Sequence, residues 1–370
     1  MIKNDQSTKR KHFPFFQLKG THREIGRQYG ESCKELIYKH LTSVKKKLQI
    51  GTKVSLEFVK EKALSYQAYV QEYAPFLDEE IQGMAEGAGI SLGEAYLLQV
   101  RAEMNNHVKA LNECTTFAVS SEVTKDGIPL AGQNVDLPSF YGEIGVVLEI
   151  IPESGSKILM FTPAGQISHI GINTEGMAVF ANAITSDGWG EGLPRYMFSR
   201  LALTCRTVDE AVEKLSNLKR SSARNIIMMD KNGEMADYEN TPMKDAVIKP
   251  ENGILAHTNH YVADSLLSEE RSTGSSLKNS QIRLERMNSL LHENRGEIDV
   301  EKIKEFFRDR ENYPNCICRI LGDEEMQDPT KQDTDNITCA SAIGVPNEGK
   351  LWIAIGPPNQ YEYKCYSFSE

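Results

Sequence analysis

One change of periodicity constrains the fold of this chain more than any other feature. Up to residue 113 the apolar residues recur at helical spacing, and from Cys114 onward they alternate. Ile25, Tyr29, Leu36, Ile37 and Leu41 predict a helix over residues 21 to about 50, with further helices at Leu56–Tyr73 and Phe76–Ala88. Ser91-Leu92-Gly93-Glu94 is a capping box, in which hydroxyl and carboxylate satisfy the orphan amides at a helix start. It opens a fourth helix that runs to about Asn105. Then Thr115–Val123 alternates, Asp126-Gly127 signals a hairpin turn, and Ile128–Asn134 returns.

More strands are predicted at Gly145–Ile151, Lys157–Thr162, Ile167–Asn173, Met177–Ile184, Asn225–Asp230, Met235–Tyr238 and Ile254–Ala256. The chain ends in three others, Ile337–Ile343, Leu351–Ile355 and Tyr361–Phe368. Helices are predicted between them at Arg195–Cys205, Val208–Leu218, Leu277–Glu293 and Val300–Arg308, with Thr207 as an N-cap. No repeat or long linker interrupts this order. It implies an α+β fold of antiparallel sheets with helices packed outside, in one domain over residues 1–370.

Composition excludes several classes. A net charge of −10 argues against a nucleic-acid or anionic membrane surface. The start, MIKNDQSTKRKHFPFF, has too short an apolar run for a signal peptide, and no stretch is apolar enough to span a bilayer. The seven cysteines form no CxxC pair, so neither a disulfide scaffold nor a closed zinc site is expected, and a reducing cytoplasm is the expected location. His257 and His260 lack a third ligand at metal spacing. No metal is expected.

Cys114 stands at the helix-to-strand junction, and two readings of it are open. It is a buried structural thiol, or it is the first residue of a mature enzyme released by cutting Glu113–Cys114. An N-terminal cysteine carries a nucleophile and a base on one residue. Its α-amine, with a pKa of roughly 7.7–8.0, is poised to take the thiol proton without a separate histidine. The same thiol could first attack the preceding carbonyl, so that water then releases residues 1–113.

Five motifs occur in one order: Cys114-Thr115-Thr116; Gly132-Gln133-Asn134-Val135-Asp136; Gly171-Ile172-Asn173 with Gly176-Met177-Ala178-Val179 and Asn182-Ala183; His257-Thr258-Asn259-His260; and Glu311-Asn312-Tyr313-Pro314 with Ile317-Cys318-Arg319. Together they resemble the acyl-coenzyme A:6-aminopenicillanic acid acyltransferase family, self-processing cysteine members of the N-terminal-nucleophile hydrolases. The resemblance runs from about Arg23 to Gly356-Pro357. It implies a four-layer αββα sandwich of two antiparallel sheets with helices on both outer faces. It also implies a helical pro-region, 1–113, that stays bound as a small subunit to a catalytic subunit, 114–370.

The resemblance assigns roles residue by residue. Cys114 would be nucleophile and, through its amine, base. Asp136 would orient that amine, and Asn259 would donate to the oxyanion of the tetrahedral intermediate. Arg319 would support the site by an ion pair with Asp136, and Asn134 would position substrate or the nucleophile strand. No cofactor is implied. The partners would be a small acyl donor (an amide, or acyl-CoA as a substrate), a water or amine acceptor, and the chain's own cleaved fragment, with a homo-oligomer left open.

Three positions depart from the fungal version of the family: Glu113 replaces a glycine, Val135 a tryptophan, and Arg224 a small or hydroxyl residue. Glu113 keeps a second class of function in view, an unprocessed relative that binds or scaffolds. A third reading, a cysteine protease with His257 as base, lacks that class's local motif.

Overall fold

Alternation sends successive side chains of a strand to opposite faces, and in Leu130–Pro138 both faces are buried. Such a strand needs a layer on each side. The computed structural model describes residues 10–51, 55–104, 113–320 and 336–370. Among them the strands, numbered in chain order, form an eight-stranded and a six-stranded sheet.

The larger sheet runs β1 (Phe15–Gly20), β4 (Gly145–Pro152), β5 (Ile158–Pro163), β6 (Ile170–Asn173), β7 (Ala178–Asn182), β8 (Arg224–Met229), β9 (Met235–Asn240), β10 (Asp245–Ile248). The smaller runs β11 (Ile254–His257), β2 (Glu113–Val119), β3 (Leu130–Pro138), β12 (Asn336–Val345), β13 (Lys350–Ile355), β14 (Tyr363–Ser367).

The helices cover the two outer faces. On the larger sheet lie α1 (His22–Ser32), α2 (Lys34–Gly51), α3 (Leu56–Leu64), α4 (Gln67–Tyr73), α5 (Pro75–Ala88) and α6 (Leu92–Gln99). The short α7 (Arg101–Met104) follows them, and α8 (Phe140–Ile144) links β3 to β4. α9 (Met197–Ala202) and α10 (Val208–Ser216) complete that layer. α11 (Gly274–Glu293) and α12 (Val300–Phe307) pack on the smaller sheet through Met287, Leu291, Ile303 and Phe307. A third apolar cluster, including Val135, Phe161, Phe180 and Ala342, fills the space between the sheets. The result is the αββα sandwich that the resemblance implies.

The structure corrects several expectations. β1 pairs with β4 in parallel, so the larger sheet is not wholly antiparallel and residues before Cys114 are not all helical. Just one β1 residue, Leu18, is fully buried, which leaves too faint an alternation to read. The helix expected over 21–50 breaks at Cys33, and the one at Leu56–Tyr73 breaks at Ser65-Tyr66. Both predicted caps form: Ser91 accepts from the Glu94 N–H, and Thr207 from the Glu210 N–H. Among the described residues no helix is long and apolar enough to cross a membrane.

Residues before Cys114 are built into the body of the fold. Glu80 receives both Nη atoms of Arg200 at 2.7 and 2.9 Å, and all these groups are buried. Stripping one partner from such a pair costs about 3–5 kcal/mol. Helices α1 and α5 meet backbone to backbone. A Cβ on Gly83 would stand 2.1 Å from the Arg23 carbonyl oxygen, and one on Gly26 2.1 Å from that of Glu80. Gly83→Ala should therefore lower stability by about 1–3 kcal/mol, read as a drop in Tm. Gly190→Ala, whose nearest new contact lies at 3.9 Å, should stay within about 0.5 kcal/mol. Equal effects would remove the close approach as the cause.

Candidate active site

β2 starts at Glu113, so Cys114 lies at its mouth, opposite Val135 of β3. Strand parity turns Cys114, Thr116 and Ala118 toward the larger sheet and Thr115 and Phe117 toward α11 and α12. Cys114 is 5% exposed. Its main chain is gripped at both ends. The N–H donates to Asn259 Oδ1 at 2.6 Å, and the carbonyl accepts from Arg283 Nη1 at 2.5 Å.

Arg283 comes from α11, in a buried stripe with Asn279, Met287 and Leu291. Besides the Cys114 carbonyl it donates to Thr115 Oγ1 and Asn259 Oδ1, both at 3.0 Å, while its Nε is held by Asn279 Oδ1 at 2.8 Å. Asn259 follows β11. Its Oδ1 accepts from two donors, which fixes the amide orientation; its Nδ2 donates to the Ala183 carbonyl at 2.8 Å. Asn259 thus meets Cys114 as expected, but with its oxygen rather than its nitrogen.

Asp136 lies on the opposite face of β3 from Val135. Its Oδ1 accepts from the Thr338 hydroxyl at 2.7 Å, and its Oδ2 is buried without a hydrogen-bond partner. The expected ion pair with Arg319 does not form. β12 sets Thr338 directly across from Asp136, and the Arg319 main-chain N–H donates to that hydroxyl at 3.0 Å. The cation whose charge reaches Asp136 is Arg283. Asn134 is fully buried, with both of its N–H groups spent inside the fold. It donates to the Phe307 and Ile317 carbonyls at 2.9 and 3.1 Å and accepts from Ser341 Oγ at 2.5 Å. Its role is to anchor β3 to the end of α12 and to the middle of β12.

Burial pushes Asp136 up to about 7, against the opposing pull of Arg283 and the Thr338 hydroxyl. Burial, and then the Asp136 charge, push the Cys114 thiol up to about 11. The Asp136 main-chain N–H, the Gln133 amide and the charge of Arg224 act in the other direction. At neutral pH the Cys114 thiol is therefore held protonated, and Asp136 keeps its proton far more than an ordinary carboxyl would.

Among the described residues no histidine hydrogen-bonds to Cys114. His257 places Nε2 on Glu239 at 2.7 Å and Nδ1 on the Thr258 carbonyl at 2.9 Å. Burial lowers its pKa, but Asp237 and Glu239 outweigh this and hold it at about 9. With two acceptors for two N–H groups, His257 is a structural imidazolium, not a base. Among the described residues no cluster of three His, Cys, Asp or Glu could hold a metal.

The profile of the acyl-coenzyme A:6-aminopenicillanic acid acyl-transferase family matches residues 123–360. An acyl-coenzyme A:6-aminopenicillanic-acid-acyltransferase (40 kDa form) of Emericella nidulans is 30% identical over 314 residues, 84% of this chain and 86% of that protein. The chain belongs to this acyltransferase family. Among solved structures it is similar to conjugated bile acid hydrolase from Clostridium perfringens, at 15% identity and TM-score 0.47, covering 69% of this chain and 97% of that one. Penicillin V acylase from Agrobacterium tumefaciens is similar at 15% identity and TM-score 0.46, over 65% and 83% of the chains.

For this acyltransferase-family chain, sequence reasoning missed Arg283 and Thr338. Arg283 carries a readable signal: it occupies one position of a buried stripe, four residues before Met287 and eight before Leu291. A cation there needs buried acceptors. Thr338 carries none, because its meaning comes from a register across two distant strands.

Asp136 gives a pH test. Its folded pKa of about 7 lies above the unfolded value of roughly 3.9. The folded state therefore holds the proton more tightly, and the stabilisation is complete below about pH 4 and lost as pH rises through about 7. In a Cys114→Ala background, Asp136→Asn should remove this slope. From about pH 4 to about pH 7 the aspartate chain should lose on the order of 4 kcal/mol relative to its asparagine variant, measured by denaturant melts. A gap independent of pH would mean that the carboxyl titrates normally.

Proposed function

We propose that this chain is a self-processing cysteine amidohydrolase or acyltransferase that works through a Cys114 acyl-enzyme. The observation that carries the reading is the grip on both main-chain ends of Cys114, by Asn259 and Arg283, in a residue whose thiol faces the space between the sheets. Every buried peptide needs partners for its N–H and C=O, but β11 pairs with β2 only from Thr116 onward, so at Cys114 side chains from a loop and from α11 take the place of a neighbouring strand. They hold in place the residue whose thiol would attack the bond just before it.

In processing, Cys114 Sγ adds to the Glu113 carbonyl carbon and the C–N bond breaks. The departing nitrogen keeps its hydrogen bond to Asn259 and takes the thiol proton. Water then hydrolyses the thioester, leaving a carboxylate on Glu113 and a free amine on Cys114. In turnover that amine takes the thiol proton, and the thiolate attacks an amide or acyl-thioester carbonyl. The leaving amine or thiol is protonated from the Cys114 ammonium, and water or an amine takes the acyl group. Asn259 has a second Nδ2 hydrogen besides the one given to Ala183, and this hydrogen serves the oxyanion. Asp136 supplies negative charge near the new amine. The fragment 1–113 stays in place through β1, α1, α5 and the Glu80–Arg200 pair.

Intact-mass measurement tests the processing step. The wild-type chain should yield fragments 1–113 and 114–370, and Cys114→Ala a single uncut species without activity. Asn259→Ala should lower amide turnover by roughly 100- to 1000-fold, as loss of one oxyanion donor does. A cut, active alanine chain at position 114 would defeat the reading.

A further inference from the structure

Beside Cys114 lies a cluster of charge that the chemistry above does not use. The guanidiniums of Arg101, Arg195 and Arg224 stand 4.9, 5.3 and 5.2 Å from the ring centre of one residue, Tyr196. The three arginines are 7%, 4% and 2% exposed. Among the described residues no carboxylate forms an ion pair with any of them. Glu103, whose charge reaches Arg101, accepts at Oε1 from the Arg195 main-chain N–H and the hydroxyls of Ser221 and Ser222, and its Oε2 is buried without a partner, so it pairs with none of the three guanidiniums.

Aromatic stacking accounts for part of this. Arg101 also lies over Tyr141 at 4.7 Å, and Arg195 over Trp189 at 5.1 Å. Stacking, however, satisfies the face of a guanidinium and leaves its in-plane N–H groups to be paired. Those groups are orphaned: Arg101 Nε, Arg195 Nε, and Nε and Nη2 of Arg224 are buried without partners, as is the Tyr196 hydroxyl. Unpaired buried donors on charged groups are among the most costly arrangements a fold can contain. With three such guanidiniums gathered around one ring, the partner that is missing is an anion.

We propose that Arg101, Arg195 and Arg224 form a pocket beside Cys114 for a carboxylate carried by the substrate. This rests on the reading of Cys114 as the acylated residue. Arg224 is followed in β8 by Asn225, whose Oδ1 accepts from Asn182 Nδ2 at 3.1 Å, and the same Nδ2 donates to Thr116 Oγ1 at 2.7 Å, two residues along β2 from Cys114, so the pocket is close to the bond being broken. That proximity selects a carboxylate a few bonds from the scissile carbonyl over the phosphates of an acyl-CoA, which the pantetheine arm holds far from the thioester. The fork of a guanidinium also matches a carboxylate in two parallel hydrogen bonds. The local field agrees: burial and then the charge of Arg195 bring Arg224 down to about 10, and burial and then the charges of Arg224, Arg101 and Arg195 hold His169 well below its ordinary value.

Benzoate and benzamide, alike in shape and different in charge, test the pocket on the full chain as it purifies. Benzoate should raise Tm by several degrees through binding to the folded state, and benzamide should not. Arg224→Met should lose the rise while melting no lower than wild type without ligand, because like charges are relieved. Arg224→Lys should keep part of the rise. Inorganic phosphate should give a smaller rise than benzoate. Equal shifts from benzoate and benzamide, a rise preserved in Arg224→Met, or a larger rise with phosphate would each overturn the carboxylate pocket.

On substrates, an N-acyl glycine should exceed the matching N-acyl methylamine in kcat/KM by about a hundredfold, and Arg224→Met should bring the ratio near one. A ratio near one in wild type overturns the pocket. Processing and activity report separately on Cys114: a cut, active chain with no benzoate rise fails the pocket alone, and an uncut chain with the rise fails the proposed function alone.

Discussion

The guanidinium of Arg283 reaches from α11 to the first peptide of β2, and the arrangement around Cys114 depends on that reach. It satisfies the Cys114 carbonyl, Thr115 Oγ1 and Asn259 Oδ1 together, and it is the cation felt by Asp136. Each acceptor left without it would cost about 1–3 kcal/mol. The coupling matters more than the sum. Asn259 can present its oxygen to the Cys114 nitrogen because Arg283 occupies the same oxygen, and Asn279 keeps the guanidinium aimed. Strand, loop and helix are thus fixed by one side chain.

The same economy holds for residues before Cys114. A cut between Glu113 and Cys114 breaks one peptide bond and none of the contacts that bind residues 10–104. β1 remains a strand of the larger sheet, the Tyr29 hydroxyl still accepts from the Gly165 N–H at 2.8 Å, and Arg200 still needs Glu80. Burial of that ion pair makes separation costly for both pieces. The helical layer is part of the apolar core of the sandwich, not an appendage that shields it.

Layers and most elements were legible in the sequence because each depends on local pattern: spacing of apolar residues, a capping box at Ser91 and an N-cap at Thr207, and turn residues such as Asp126-Gly127. Cys114, Asp136 and Asn259 were legible through motifs, and the fold brings them to one end of β2 and β3. What failed to show was pairing across long separations. Arg319 looked like the partner of Asp136 because both are charged, yet a register between β3 and β12 interposes Thr338, and Arg283 takes the electrostatic role. Asn134 looked functional for its polarity, whereas the pleat turns it outward to cap α12. Arg224 was visible as a departure from the fungal pattern. Its company, Arg101 and Arg195, was not, because a single sequence does not reveal that three arginines from different segments surround one tyrosine.

The two displaced pKa values near β2 belong together. In the intact chain Asp136 sits at about 7 and Cys114 at about 11, each raised first by burial, and Asp136 raises the thiol further. An intact peptide nitrogen carries no charge that could offset either shift. On the proposed reading, cleavage turns that nitrogen into an amine a few bonds from the thiol. An ammonium there stabilises both a thiolate and a carboxylate, so both values fall. On that reading the intact Glu113–Cys114 bond is what keeps the two values high. Glu113 is paired in register with Asp136, and on the proposed reading it would end the retained fragment 1–113 on the other side of the cut from the new amine.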